Sequence, residues 1–272
     1  MLDYLEDRTL VNGELSAHVA AADRGFQYGD GIFETIAVMH GVPRFWQLHM
    51  DRLRIGCEVL GLTQTPQNVL LREVQTVTAG RPACAVKIIV TRGQSGRGYA
   101  PPAESETCRV VSAHPLPETI EGGATHGIRM RVCDLRLGIQ PALAGIKHLN
   151  RLEQVLARAE WTDPQIQEGL LLDSEDYVIS AIAANIFLVS SQRLLTPRMD
   201  RCGVRGVMRS AILQAFKPRC EQRRITLDML PEADEVFICN AIRGILPVSR
   251  IGFWEYGLNP VTREIQDWLR QQ

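Results

Sequence analysis

The stretch Leu143-Ala-Gly-Ile-Lys147-His-Leu-Asn-Arg-Leu-Glu153 leads from a small, apolar turn into a predicted helix. It carries one of only three lysines in the chain, the others being Lys87 and Lys217, against 27 arginines. Arginine supplies positive charge but cannot form a Schiff base, whereas a desolvated and deprotonated lysine can. Lys147 is therefore a candidate for covalent chemistry or a solvated charge at a helix end, and spacing alone leaves both interpretations open.

Length and composition bound the classes of function that the chain can serve. Its 272 residues, 45% hydrophobic and 22% charged, are enough for one large or two modest globular domains. The formal net charge of -1 and the scattered basic residues argue against nucleic acid or a membrane surface as a partner. No apolar run reaches membrane-spanning length, and the first residues do not resemble a secretory signal. The seven cysteines form no Cys-x-x-Cys pair, so we expect free thiols in the cytoplasm and no metal site.

A polar stretch with two prolines and two glycines, residues 114–123, is the most linker-like part of the chain. It predicts a small N-terminal α/β domain over residues 1–113, a linker over 114–126, and a larger C-terminal α/β domain over 127–272 that carries Lys147. Because strands and helices alternate unevenly, we expect two α/β lobes with a cleft, and not one doubly wound sheet.

Apolar periodicity places the elements within these domains. In the first domain it predicts a hairpin at Asn12-Gly13, strands over 32–39, 83–91 and 108–113, and helices over 47–60 and 69–77. In the second it predicts strands over 127–132, 169–172, 177–179, 186–189 and 235–239, and a helix over 206–216. A further helix is predicted over 150–161, with one apolar face formed by Leu149, Leu152, Leu156 and Ala159.

Two stretches could bind anions. In residues 201–209, two glycines precede a helix whose first N–H groups, those of Val207 and Met208, could hold a phosphate. Arg52, near the apolar stripe of its helix, could serve an anion as well. The plainer alternatives are an ordinary loop entering a helix and a surface ion pair of Arg52 with Asp51 or Glu58.

Two other stretches could meet a substrate or a flat ligand. The Gly-rich, basic loop over residues 91–99 could close over an anionic substrate, or be a flexible hairpin. The small residues between 180 and 185 could lie against a flat molecule, or pack tightly in a sheet. A candidate Schiff-base lysine, a phosphate cradle and an anion clamp together fit pyridoxal phosphate, which has an aldehyde, a phosphate and a flat ring.

Five motifs occur in a family-specific order: Asp23-Arg-Gly-Phe-Gln-Tyr-Gly-Asp-Gly-Ile-Phe-Glu34-Thr, His49-x-x-Arg52-Leu, Lys147-His-Leu-Asn-Arg, Ala184-Asn185-Ile-Phe and Gly203-Val-Arg-Gly-Val-Met-Arg. Over almost its whole length the chain resembles the fold type IV pyridoxal-phosphate family. That family contains branched-chain aminotransferases, D-amino-acid aminotransferases and 4-amino-4-deoxychorismate lyases. Residues 143–156, 92–99 and 234–241 are most similar to the lyases.

The resemblance implies a two-domain fold with the cofactor between the lobes of a homodimer, and it implies roles for individual residues. Lys147 would hold pyridoxal 5'-phosphate through a Schiff base and would be catalytic, with Thr35 as a second proton donor. The cofactor would also be contacted by Arg52, Ser180, Asn185, Val207, Met208 and Asn240. The substrate would be contacted by Tyr28, Arg97 and Tyr99.

One position departs from the family pattern: Ser180 stands where a glutamate usually pairs with the pyridine nitrogen of the cofactor. Serine shares a hydrogen bond but cannot stabilise a positive ring nitrogen equally well. We therefore expect a lyase that forms 4-aminobenzoate and pyruvate for folate synthesis and transaminates poorly. The alternatives are an aminotransferase on the same fold, a diverged enzyme with impaired catalysis, and a binding protein that has lost its cofactor role.

Overall fold

The structure is a computed structural model that describes residues 8–102, 106–118, 120, 122–257 and 260–272. It divides into two compact units, one formed by the residues up to Leu116 together with Ile146–Asn150, the other by the remainder. The expected class, two α/β units, is confirmed. The division falls inside the predicted linker, but the segment that holds Lys147 groups with the first unit although the sequence assigned it to the second domain. The domain boundaries themselves stay a prediction.

The first unit is built on a six-stranded antiparallel sheet of order β2-β1-β6-β5-β3-β4. Its strands are β1 Thr9–Val11, β2 Glu14–Leu15, β3 Gly31–Met39, β4 Val42–Pro43, β5 Ala83–Thr91 and β6 Cys108–His114. Its helices are α1 Arg24–Tyr28, α2 Trp46–Leu60 and α3 Gln67–Thr78. The predicted strands and helices of this region are confirmed to within two residues, while residues 1–7 lie outside the described part.

Side-chain alternation along β3 and β5 decides which face of this sheet is covered. Ile32, Ile36 and Val38 of β3 are buried together with Met50 and Leu53 of α2, so this face packs against the helices and forms the core. The alternate side chains of β3 and β5 project from the other face, where most of the polar ones are only half-buried. The two faces therefore offer different environments within a few ångströms of each other.

The second unit is built on a nine-stranded mixed sheet in which β12-β11-β10-β13-β14-β7-β8-β9 are neighbours and β15 pairs with β14. Its strands are β7 Ile128–Leu137, β8 Glu168–Asp173, β9 Val178–Ala181, β10 Asn185–Ser190, β11 Arg193–Pro197, β12 Cys220–Arg223, β13 Glu235–Asn240, β14 Gly244–Ile251 and β15 Trp254–Glu255. Its helices are α4 Gly123–His126, α5 Leu152–Arg158, α6 Val207–Ala215 and α7 Pro260–Arg270. The predicted elements are present here, but β11, β12, β14, β15, α4 and α7 were not anticipated.

The helix predicted over residues 150–161 is shorter than expected, and its apolar face is not buried in this chain. It runs from Leu152 to Arg158, begins at Arg151 without a side-chain cap, and leaves Leu152 and Leu156 74% and 60% exposed. Leu149 precedes the helix and donates its N–H to the Gly31 carbonyl. The sequence predicted the helix and its shared apolar face, and the structure shows that Leu152 and Leu156 on this face are exposed.

Candidate active site

The segment Ile146–Asn150 runs alongside the start of β3 as an irregular additional edge. The Phe33 N–H donates to the Lys147 carbonyl at 2.9 Å, and the Leu149 N–H donates to the Gly31 carbonyl at 2.9 Å. A Cβ at position 31 would lie 2.6 Å from the Val90 carbonyl of β5 and 2.8 Å from Leu149 Cδ1, so the close packing of this segment and β5 around position 31 requires glycine. The backbone that carries Lys147 is thus fixed by a strand more than a hundred residues earlier in the chain.

The Lys147 amine lies on the aromatic face of a β3 side chain. Its Nζ is 4.2 Å from the centroid of the Phe33 ring, and the residue is half-buried. An ammonium held over an aromatic face is stabilised by the ring quadrupole and loses part of its hydration. The solvated charge at a helix end is therefore not what the structure shows, since the lysine precedes the helix and packs on the sheet.

On the helix-covered face of β3, Glu34 forms a buried ion cluster with two basic side chains of α2. Its carboxylate accepts from Arg52 Nε at 2.7 Å and Nη2 at 2.5 Å, and lies 2.6 Å from His49 Nδ1. This two-pronged contact fixes the plane of the Arg52 guanidinium. The alternative of a surface pair with Asp51 or Glu58 named the wrong partner, because the buried Glu34 takes this guanidinium.

Electrostatics within this cluster favour a charged Glu34 and a neutral His49. Burial raises the pKa of the Glu34 carboxyl, but the Arg52 charge and hydrogen bonds from Arg52 and His49 outweigh it and lower this pKa to about 2. Burial lowers the pKa of His49, and the charges of Arg52 and Lys147 lower it further against the opposing effect of Glu34. Lys147 is therefore electrostatically coupled to the cluster that orients Arg52.

Sequence reasoning assigned no site role to Glu34 or His49. Two signals were available: a carboxylate at a buried position of an apolar strand, which needs a partner, and the i, i+3 spacing of His49 and Arg52 on one helix face. Neither signal identifies which partner a residue takes, because β3 and α2 meet only in the folded sheet.

The loop over residues 92–99 is anchored from beneath by Arg24. This arginine is 4% exposed and donates to the Gly98 and Tyr99 carbonyls at 2.9 and 3.0 Å, while its Nε binds Asp30. Tyr28 and Tyr99, both predicted substrate contacts, meet edge to face with centroids 5.5 Å apart. Arg97 is exposed at the tip of this loop. The loop is therefore tethered at its base and presents its predicted binding side chains outward.

In the second unit, residues 203–206 lead into the start of α6, the segment predicted to bind an anion. Gly206 caps α6 without a side-chain hydrogen bond, which leaves the first N–H groups, including those of Val207 and Met208, without helical acceptors. A side chain at position 206 would place its Cβ 1.9 Å from the Asn185 amide oxygen. Asn185 itself donates to the Val204 carbonyl at 3.0 Å, so this buried amide supports the loop.

The remaining predicted cofactor residues of this unit have other visible partners. Ser180 is half-buried in β9, paired opposite Leu171. Asn240 uses its amide within the fold, donating to the Ala183 carbonyl at 3.1 Å and accepting from the Ile242 and Arg243 N–H groups. Glu175, five residues before Ser180, forms ion pairs with Arg201 and Arg224, so it is not a free substitute for the missing glutamate.

The structure thus groups the predicted residues by unit. The first unit carries Lys147, Arg52, Thr35, Tyr28, Arg97 and Tyr99. The second carries Ser180, Asn185, Val207, Met208 and Asn240. Their individual roles toward cofactor and substrate stay predictions.

Comparison with known proteins identifies the family. The family described as Amino-transferase class IV matches residues 31–251. The chain is 35% identical to aminodeoxychorismate lyase from Vibrio harveyi over 94% of its own length and 97% of that protein. Its structure matches that of 4-amino-4-deoxychorismate lyase from Pseudomonas aeruginosa with a TM-score of 0.93 and 42% identity, covering 97% and 98% of the two chains. The branched-chain aminotransferase of Escherichia coli shares the fold, with a TM-score of 0.86, 24% identity, and coverage of 97% and 93%. The chain therefore belongs to the class IV aminotransferase family, which depends on pyridoxal phosphate.

Proposed function

We propose that this chain is a pyridoxal-phosphate-dependent lyase that converts 4-amino-4-deoxychorismate to 4-aminobenzoate and pyruvate, a step that supplies folate synthesis. The observation that carries the proposal is the half-buried Lys147 amine, held over the Phe33 ring by backbone pairing with β3. The similarity to two lyases over nearly the full chain favours this reaction over transamination.

The residues present fit this cofactor. Lys147 offers a primary amine for its aldehyde, and the α6 N-terminus offers N–H groups and a positive dipole end for its phosphate. Arg52, whose guanidinium plane is fixed by Glu34, is proposed as a further phosphate ligand. When bound, pyridoxal phosphate supplies an electron sink for the carbon that bears the substrate amine.

Lys147 and Thr35 are proposed to move the protons of the reaction. The Lys147 amine, once the substrate amine has taken its place on the cofactor, can remove the proton from the amine-bearing carbon of the substrate. Thr35 projects from the same face of β3 as Phe33, at an alternate and half-buried position, so its hydroxyl lies on the Lys147 side of the sheet. The departing enolpyruvyl group takes a proton from Lys147 or from this hydroxyl, and the substrate ring becomes aromatic.

Ser180 favours elimination over transamination. With a hydroxyl where the family usually has a carboxylate, and with Glu175 paired to Arg201, the ring nitrogen receives less stabilisation of its positive charge. Elimination ends in an aromatic ring and therefore has its own driving force, whereas transamination depends on a long-lived carbanion. Aminotransfer remains the second candidate function because the fold is shared with aminotransferases.

We also propose that the protein acts as a homodimer. Leu152, Val155 and Leu156 lie at i, i+3 and i+4 on α5 and are 74%, 60% and 60% exposed, an apolar stripe that water disfavours. A second copy of the chain is the proposed cover.

All seven cysteines are free thiols, which supports a reducing compartment such as the cytoplasm. Within the described ranges, no helix is long and apolar enough to cross a bilayer.

The experiment that tests the function is product analysis. The purified protein is loaded with pyridoxal phosphate, supplied with chorismate and an amination system, and examined for 4-aminobenzoate and pyruvate. Lys147→Ala should abolish product formation and borohydride-stable attachment of the cofactor, whereas Lys217→Ala, at an exposed lysine of the second unit, should change neither. Rapid amino transfer from ordinary amino acids to pyruvate or 2-oxoglutarate, without 4-aminobenzoate, would contradict the proposal.

A further inference from the structure

The tip of the loop that follows β5, residues 96–99, is held by a side chain and not by backbone pairing. It carries the predicted substrate contacts Arg97 and Tyr99, whose side chains are exposed. Among the residues that the structure describes, none of the backbone groups of this loop tip is hydrogen-bonded to other backbone. The Gly98 and Tyr99 carbonyls instead accept from Nη1 and Nη2 of Arg24 at 2.9 and 3.0 Å. The conformation of the loop tip therefore depends on one buried guanidinium.

This guanidinium is itself fixed by Asp30, a carboxylate that two arginines share. Arg24 Nε donates to Asp30 Oδ2 at 2.8 Å, and Arg92 donates to both oxygens, from Nε at 2.8 Å and from Nη2 at 3.1 Å. Burial raises the pKa of Asp30, but the hydrogen bonds and charges of Arg92 and Arg24 outweigh it and lower this pKa. The carboxylate therefore stays charged and orients both arginines.

The second arginine of this cluster joins it to the end of α2. Arg92 Nη2 and Nη1 donate to the Leu60 and Gly61 carbonyls at 2.6 and 3.1 Å. These carbonyls lie where the hydrogen bonding of the helix stops, so a cation there satisfies acceptors that the helix leaves open. Helix α2 also carries Arg52, the proposed phosphate ligand. The cluster thus links the loop tip to the helix that is proposed to help hold the cofactor.

Arg24 also contacts both tyrosines that are predicted to meet the substrate. Its guanidinium carbon lies 4.9 Å from the centroid of the Tyr28 ring, and the Tyr28 and Tyr99 rings meet edge to face at 5.5 Å. Arg24 thus contacts Tyr28 through its ring and Tyr99 through its carbonyl. Because the guanidinium is planar and its donors form a fixed fork, these contacts constrain one another.

We propose that Arg24 is a positioning residue that presets the loop tip for the substrate, and that Asp30 and Arg92 hold Arg24 in place. The inference rests on the proposed function, to which the substrate contacts of the loop tip belong. A loop that adopts its binding conformation for only roughly a tenth of the time binds about tenfold more weakly. Arg24 acts on substrate affinity and not on the chemical step, because the proton transfers are assigned to Lys147 and Thr35.

The test is a double-mutant cycle in the cofactor-loaded enzyme, read by the kinetics of 4-aminobenzoate formation. Arg24→Lys keeps the charge beside Asp30, but its single nitrogen cannot reach the carboxylate and both carbonyls in the same geometry. The same substitution is made in an Arg97→Ala/Tyr99→Ala background, which lacks the side chains that Arg24 is proposed to position. Residues that act through each other give non-additive effects in such a cycle.

The matched control is Arg109→Lys, which changes another forked arginine of the first unit. Arg109 donates to Glu73 from Nε and Nη2 at 2.9 and 2.6 Å and has no part in the proposed site. Hydrogen exchange of peptides from residues 93–99 is measured for each variant, because it reports the order of the loop independently of activity. Asp30→Asn, which keeps the shape of the side chain without its charge, is the second variant should Arg24→Lys not fold. The visible cofactor band checks that Lys147 is intact.

We expect Arg24→Lys to raise KM about tenfold, to change kcat by less than about twofold, and to speed exchange of the loop peptides. In the background without the two tip side chains, the same substitution should change KM by less than about twofold. Asp30→Asn should act in the same direction as Arg24→Lys, and Arg109→Lys should leave both KM and loop exchange unchanged.

The proposal is overturned if Arg24→Lys leaves KM unchanged, or if it raises KM equally with and without the tip side chains. If either result accompanies normal formation of 4-aminobenzoate, the lyase assignment stands and Arg24 only supports the fold. If the unchanged protein forms no 4-aminobenzoate, the lyase assignment fails. The same cycle, measured on half-transamination of amino acids, then decides the role of Arg24 separately.

Discussion

Replacing Glu34 by glutamine tests whether the buried ion cluster holds the first unit together. The carboxyl is 1% exposed, and its pKa lies at about 2 against an ordinary 4.5. A difference of this size corresponds to about 3 kcal/mol of folding free energy at pH 7. Glu34→Gln should lose roughly that amount, because it leaves the Arg52 charge buried without its carboxylate.

Local opening of β3 and α2 is the appropriate measurement. Native-state hydrogen exchange of peptides from these elements reads the opening free energy of the first unit separately from the second. The matched control is Glu58→Gln, which removes an exposed carboxylate that pairs with Arg54 on the surface of α2. An exposed pair contributes at most about 1 kcal/mol, so this control should change little.

The contribution of Glu34 to folding stability depends on pH, and the direction of that dependence follows from its depressed pKa. Because the folded-state pKa of Glu34 is depressed, its contribution is complete above pH 4.5 and is lost as the pH falls from 4.5 toward 2. The protein with Glu34 and its Glu34→Gln variant are compared in a His49→Asn background, so that titration of the imidazole does not contribute to the difference. There, the stability lost through Glu34→Gln should shrink by roughly 1 kcal/mol from pH 5 to pH 3.5. A loss below about 1 kcal/mol at pH 7, or a loss that does not change with pH, would refute the reasoning.

Three further outcomes are expected. Gly206→Ala, whose methyl would lie 1.9 Å from a buried amide oxygen, should lower the melting temperature and weaken cofactor binding, whereas Gly257→Ala, whose methyl would meet no described atom within 4 Å, should do neither; equal melting of the two would contradict the cradle. Leu156→Glu should give a monomer by light scattering, while Phe253→Glu, at an even more exposed apolar residue, keeps the mass of the unchanged protein; a dimer in both removes α5 from the interface. Ser180→Glu should speed half-transamination of ordinary amino acids by roughly tenfold, the effect of about one pKa unit at the ring nitrogen, and an unchanged rate would show that Ser180 does not limit it.

Much of the fold was readable from short windows of sequence. The strand predicted over residues 83–91 coincides with β5, and the helix predicted over 47–60 differs from α2 by one residue. Such elements are encoded by apolar periodicity within about ten residues. Helix α7 was missed although its buried residues Val261, Ile265 and Leu269 stand at helical spacing. Only the structure shows how this helix begins: the buried Glu235 of β13 accepts from the N–H groups of its second and third residues at 2.8 Å.

The sequence by itself determined which residues are candidates for reactive chemistry. A nearly lysine-free chain with Lys147 in a family motif, two glycines before a helix, and a serine at position 180 were all visible without coordinates. These are statements about residue type and local spacing, which require no knowledge of partners.

Only the tertiary structure decided how those residues are held. The Lys147 backbone pairs with β3, Glu34 joins His49 and Arg52, and Lys87 reaches the same ring as Lys147. Each contact joins parts of the chain that are 15 or more residues apart. Whether a charge is buried, and which opposite charge it then meets, depends on how sheet and helix pack, and packing is a property of the whole unit and not of any short window.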